Sequence, residues 1–129
     1  MPILLTPEFD RDRKRFFISD KKLCKAAELV RKGSHDGHLG RSVYKKRLGT
    51  AGTGARDGAR SIIFFAQGEH LYFFDIYVKS ELSKKKGKEL EDDEIATYCD
   101  LAQDFLLMSD VVRQRLVTDR ELIEVLCDD

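Results

Sequence analysis

Apolar residues recur at helical spacing near both ends of the chain and become almost continuous between residues 43 and 78. Three runs in that middle stretch, Val43 to Leu48, Ser61 to Ala66 and Leu71 to Val78, are rich in β-branched and aromatic residues and are separated by turn formers, which is a strand signature. Gln67-Gly68-Glu69-His70 is short enough to join the second and third as an antiparallel hairpin. Both runs are apolar on both faces through their middles, which predicts central strands covered by helices. Upstream, Pro2 to Leu5 is a brief apolar run able to add a strand. Thr6 then stands as an N-cap before Pro7, opening a helix over 7–17 with Phe9, Phe16 and Phe17 on one face. Ser19 or Asp20 caps a second helix over 20–32, whose stripe Leu23, Ala26, Ala27, Val30 ends at Gly33.

Beyond the strands, the acidic run Glu91 to Glu94 suits a helix N-terminus, and Ile95, Cys99, Ala102, Phe105 and Leu106 continue it as a core-facing stripe. Ser109-Asp110 caps a further short helix, and Thr118 to Glu121 reads as a capping box before Leu122 to Leu126, a run that suits either helix or strand. The predicted class is α+β. A small twisted antiparallel sheet centred on residues 43–78 carries the N-terminal helical hairpin on one face, with the helix over 93–108 at an edge or end. The whole of 1–129 reads as one domain with a helical, acidic C-terminal extension from about residue 109.

Strand alternation places Val43, Lys45 and Arg47 on one face of the first strand, with Tyr44, Lys46 and Leu48 on the other. In the third it predicts Leu71, Phe73, Asp75, Tyr77 and Lys79 opposite Tyr72, Phe74, Ile76 and Val78. The polar face then collects Lys45, Arg47, Arg60, Asp75, Tyr77 and Lys79, with Arg56 on the glycine-rich connection above. That connection, Gly49 to Arg60, is no nucleotide fingerprint: Gly-Lys-Ser/Thr is missing and a strand follows it. Arg11, Arg13, Lys14 and Arg15 read as the solvated face of the first helix.

Charge adds a second layer to this pattern. Lys+Arg and Asp+Glu balance at 23 each, yet residues 1–80 hold 16 basic and 9 acidic side chains while residues 81–129 hold 7 and 14. A cationic body is the footprint of a polyanion binder. The segment 34–38 reads as a loop, and its His35 and His38 beside Asp36 lack a third ligand, so no metal or other cofactor is expected. Cys24, Cys99 and Cys127 are odd in number and widely spaced, and they read as reduced core thiols of a cytoplasmic protein. No apolar run reaches membrane-span length, and Met1 to Thr6 is too short for a signal core.

Cations around a phenol are a poor set for acyl transfer but suit phosphodiester chemistry on RNA, which carries its own 2′-hydroxyl nucleophile. A lysine can serve as base, an arginine can stabilise the phosphorane, and Tyr77 can stack on a base or relay a proton. The same residues would also make a plain phosphate cradle.

Tyr44-Lys45-Lys46-Arg47, the glycine-rich loop ending Arg56-Asp57-Gly58-Ala59-Arg60, Tyr77-Val78-Lys79-Ser80-Glu81 and Asp92-Asp93-Glu94 together resemble the RelE/HigB-type toxins of bacterial type II toxin-antitoxin systems. The likeness covers most of residues 1–108. It implies a RelE-like microbial ribonuclease-type fold and a ribosome-dependent mRNA endonuclease that needs no metal. The partners it implies are mRNA on the ribosome and a cognate antitoxin that silences the toxin, in a hetero-oligomer. By motif position Lys45, Arg47, Arg56, Arg60 and Lys79 carry over; with the strand reading, Arg60, Lys79, Lys45 and Tyr77 are the catalytic candidates, and Arg47, Arg56 and Lys46 the RNA-binding ones. The chain lacks the later histidine or C-terminal tyrosine of some branches. ParE-type gyrase inhibitors share the fold, so gyrase inhibition and non-catalytic nucleic-acid binding stand as the alternatives.

Overall fold

The computed structural model describes residues 2–50, 58–78 and 92–127. Among them run β1 (Ile3–Leu5), α1 (Pro7–Arg15), α2 (Asp20–Arg31), β2 (Gly37–Gly40), β3 (Val43–Leu48), β4 (Ala59–Phe64), β5 (Leu71–Val78), α3 (Asp92–Leu106), α4 (Asp110–Thr118) and β6 (Ile123–Val125). The six strands form one open sheet in the order β2-β3-β4-β5-β1-β6. The α+β class therefore holds, with the helical hairpin on one face.

The sheet is mixed, because β1 runs parallel to β5, with Ile3 opposite Leu71 and Leu5 opposite Phe73. Its other edge pairs antiparallel with β6. Flanked on both sides, Ile3, Leu4 and Leu5 are all buried, which is why an unbroken apolar triplet suits this position. Thr6 ends the strand and starts α1 at once. Its hydroxyl accepts from the Phe9 amide at 3.2 Å and donates to the Phe74 carbonyl at 2.8 Å, tying the helix cap to β5.

Each face of the sheet carries its own core. On one, Phe9 of α1 and Leu23, Ala26, Ala27 and Val30 of α2 pack on Leu48, Ala59, Ile63, Leu71, Phe73 and Ile76. On the other, α3 and α4 cover Val43, Ile62, Phe64 and Tyr72. The helix expected at an edge or end thus lies on a face, where the Phe105 ring sits 5.4 Å from Phe64, 5.2 Å from Tyr72 and 5.6 Å from Phe74.

A break in strand register explains that placement. Ile62 opposes Asp75 but Ile63 opposes Phe73, so Phe74 is an extra residue on β5, a β-bulge. Strict alternation fails there. Leu71 and Phe73 face the N-terminal helices together with Ile76, while Tyr72 and Phe74 share the opposite face with Asp75 and Tyr77. The bulge thereby assembles an apolar floor on which α3 can pack.

Three further expectations are corrected. Arg13 is buried rather than solvated. It bonds Asp10 at 2.9 Å, Asp20 at 2.7 Å and the Ile18 carbonyl at 3.1 Å, because Phe17, at φ 59°, turns the chain back across it. The segment 34–38, expected as a loop, enters strand β2 at Gly37, and Tyr44 packs the His38 ring at 4.6 Å and the His35 ring at 4.9 Å. Cys24 and Cys127 are joined as a disulfide with Cα atoms 5.6 Å apart. Their separation of 103 residues conceals a proximity that β6 creates by returning to the sheet beside α2. Among the described residues, no helix is long and apolar enough to cross a membrane.

Candidate functional site

The cationic face is built by strand register. Arg60 lies opposite Arg47 on β3 and opposite Tyr77 on β5, giving one row across three strands. The next row runs from Lys45 through Ile62 to Asp75. Since residues two apart share a face, Lys45, Arg47, Arg60, Asp75 and Tyr77 stand on the side that α3 partly covers. Like charges directly opposite each other, as at Arg47 and Arg60, concentrate positive potential rather than stabilise the sheet.

Arg60, at the head of β4, is only 2% exposed. Its Nη1 donates to the Gly58 carbonyl at 3.0 Å. Gly58 permits this packing, since a Cβ there would come within 2.1 Å of the Leu48 carbonyl oxygen. Arg47 is exposed, whereas Lys45 and Tyr77 are half-buried.

Lys46 lies on the opposite face from Lys45, as alternation predicts, with its Nζ 3.8 Å from Asp36. Asp36 also accepts from the Arg47 amide at 2.7 Å, so this carboxylate fixes the β3 backbone beside the cations. Arg56 and Lys79 lie outside the described residues, as do most of the glycine-rich loop and the lysine-rich segment 83–88.

Tyr98 joins the constellation from α3, and Arg113 of α4 braces the same side of the sheet elsewhere. Tyr98 of α3 donates its hydroxyl to Asp75 at 2.8 Å. Burial, then that hydrogen bond, push the Tyr98 pKa far above the ordinary phenol range, with the charges of Asp75 and Glu94 adding to the shift. At neutral pH it is therefore a fixed hydrogen-bond donor. The available signal was Tyr98, Ala102 and Phe105 at i, i+4, i+7, a helical face one residue away from the stripe anchored on Cys99.

Arg113 donates through Nε to the Tyr72 hydroxyl at 2.8 Å and through Nη2 to the Met108 carbonyl at 2.9 Å. It holds the turn between α3 and α4 against the sheet. Among the described residues, no group of three histidine, cysteine or acidic side chains gathers to hold a metal.

No curated protein matches the chain significantly. The family described as RelE toxin of RelE / RelB toxin-antitoxin system matches residues 1–125. A match over nearly the whole length, on an α+β framework whose strand rows gather Lys45, Arg47 and Arg60, means that this chain belongs to the RelE toxin family.

Proposed function

We propose that this toxin is a ribosome-dependent mRNA endonuclease, active without a metal and neutralised by a cognate antitoxin. The observation that carries the reading is the sharing of one sheet face by Lys45, Arg47, Arg60 and Tyr77 in a RelE-family chain. Arg47 and Arg60 supply positive charge for the scissile phosphate and for the charge that grows on it in the transition state. Lys45 takes the proton of the 2′-hydroxyl as that oxygen attacks phosphorus. Tyr77, near the hydrogen-bonded pair Tyr98 and Asp75, stacks on a base or passes a proton to the departing 5′-oxygen in this reading. Arg56, Lys46 and Lys79 complete the proposed set.

The test is cleavage of mRNA on programmed ribosomes, with toxicity in bacteria lacking antitoxin read alongside. Lys45→Ala should lower the cleavage rate about 10²-fold or more, in the range of lost proton transfer. Arg47→Ala, at an exposed position, should weaken cleavage without moving the unfolding midpoint. Arg60→Ala mixes catalysis with stability because the residue is buried, so Arg60→Lys is the cleaner probe. DNA-damage signalling without mRNA cuts would overturn the reading in favour of gyrase inhibition. Phosphate binding without toxicity would reduce the site to a cradle.

A further inference from the structure

A groove on the α2 side of the sheet reaches the cationic strand β3 at its rim. It follows α2, has a volume of about 1160 Å³, and is bordered by Lys21, Lys22, Lys25, Lys46 and Arg47. Both sulfur-bearing residues of the disulfide, Cys24 and Cys127, line this open groove. A small molecule in solvent therefore has a route to the bond, and the cationic rim favours an anionic one.

The bond also sits where it matters mechanically. Cys127 follows β6 by two residues, and β6 is a three-residue edge strand with β1 as its single strand partner, paired at Ile123, Glu124 and Val125. Leu122 and Val125 are the buried anchors of that return. Without the crosslink, what holds the segment among the described residues is these pairings, the side chains of Leu122, Ile123 and Val125, and the bonds of the Glu121 and Leu122 amides to the Leu116 carbonyl. With it, a loop spanning 103 residues is closed and β6 is pinned to α2. The third cysteine does not compete, because the Cys99 thiol donates to the Gly40 carbonyl at 3.7 Å on the far side of the sheet.

We propose that Cys24 and Cys127 form a reversible thiol–disulfide modification site, whose co-substrate is an anionic low-molecular-weight disulfide and whose state locks or releases β6 on β1. In the forward direction one cysteine thiolate attacks a sulfur of the small disulfide, forming a mixed disulfide and expelling one small thiolate. The second cysteine thiolate then attacks the protein sulfur of that mixed disulfide, forming the Cys24–Cys127 bond and expelling the other small thiolate. Two electrons pass to the small disulfide, and the two cysteine protons end on the two small thiols. Release of β6 uncovers the outer edge of β1, a template for another extended strand.

The experiment equilibrates the full chain in reduced and oxidised glutathione, counts free thiols by alkylation mass, and follows amide hydrogen exchange. Alkylation should find one free thiol, Cys99, in the oxidised form and three in the reduced form. Amides of residues 3–5 and 123–125 should exchange about tenfold faster or more once reduced, while β4 amides keep their protection. Cys127→Ser should reproduce the reduced pattern in both buffers, and Cys99→Ser should leave the switch intact. A pair that stays reduced in oxidised glutathione overturns the proposal. So does a disulfide that forms without slowing exchange at β1 and β6, or a loss of protection spread evenly over the sheet on reducing the wild type, which needs no variant to fold.

Discussion

Replacing Arg13 with alanine should lower the unfolding free energy by about 2–3 kcal/mol, although the residue belongs to a run of charge that looks dispensable in the sequence. Its side chain is 9% exposed, and its Nη1 donates to the Ile18 carbonyl at 3.1 Å across the α1–α2 turn. A buried bond from a charged donor is worth about 1.5–3 kcal/mol, so this contact carries most of the effect. Asp20, 2.7 Å away but 62% exposed, adds about 0.5 kcal/mol or less. Asp10 is not stranded by the change, because Lys14 lies 3.2 Å from its other oxygen. Urea unfolding checks the sum, and the melting point should fall by about 10 °C. Arg11→Ala, at a side chain 73% exposed, is the control and should stay within about 0.5 kcal/mol. A loss below about 1 kcal/mol for Arg13→Ala, or equal losses for both variants, would refute the reasoning that this guanidinium pins the turn.

Gly58→Ala should cost about 2 kcal/mol or more by parting β3 from β4 at the Leu48 carbonyl, and urea unfolding reads it; a neutral result would mean that the strand end yields freely. Tyr98 has a raised pKa, so its contribution to stability is present below the unfolded value of about 10 and drains away as pH climbs above it. Accordingly Tyr98→Phe should leave the phenolate absorbance of the folded protein at about pH 11 unchanged, and loss of one tyrosine's signal would contradict the assignment. His70 is shifted downward, first by burial and then by the Arg113 charge, against the opposing pull of Asp110 and Glu69. Its contribution is therefore present above the unfolded value of about 6.5 and lost as pH falls below it. His70→Gln should flatten the acid limb of stability against pH, and an unchanged slope would remove His70 as its cause.

Periodic apolar stripes, the Thr6 and Ser19 caps and the β-rich centre were readable in the sequence because each is a local preference of a few neighbouring residues. The bulge at Phe74 was not, since a strand that is apolar through Tyr72, Phe73 and Phe74 carries no mark of where alternation slips. One missed residue moved Asp75 and Tyr77 to the side of α3. Lys45, Arg47 and Tyr77 nevertheless come out on a common face, because β3 alternates regularly and Tyr77 lies beyond the slip. Burial of Arg60 and Arg13 escaped notice for another reason: nothing in a charged residue's neighbours along the chain reports which carbonyl will meet it. The Cys24–Cys127 bond is likewise a product of topology, invisible until β6 is placed.

The wiring of β1 has a consequence for biosynthesis. β1 precedes the other described strands yet is an interior strand, and both of its neighbours follow at long range: Ile3 meets Leu71 on one side and Val125 on the other. Until β5 emerges, Ile3, Leu4 and Leu5 have no strand to pair with, and until β6 does the sheet ends at β1. Contacts of such long sequence separation form late and slowly, because a long loop must close before they return any energy. A chain wired this way acquires its full sheet only after residue 125 has been made, so the order of synthesis and the order of strands in the sheet run against each other.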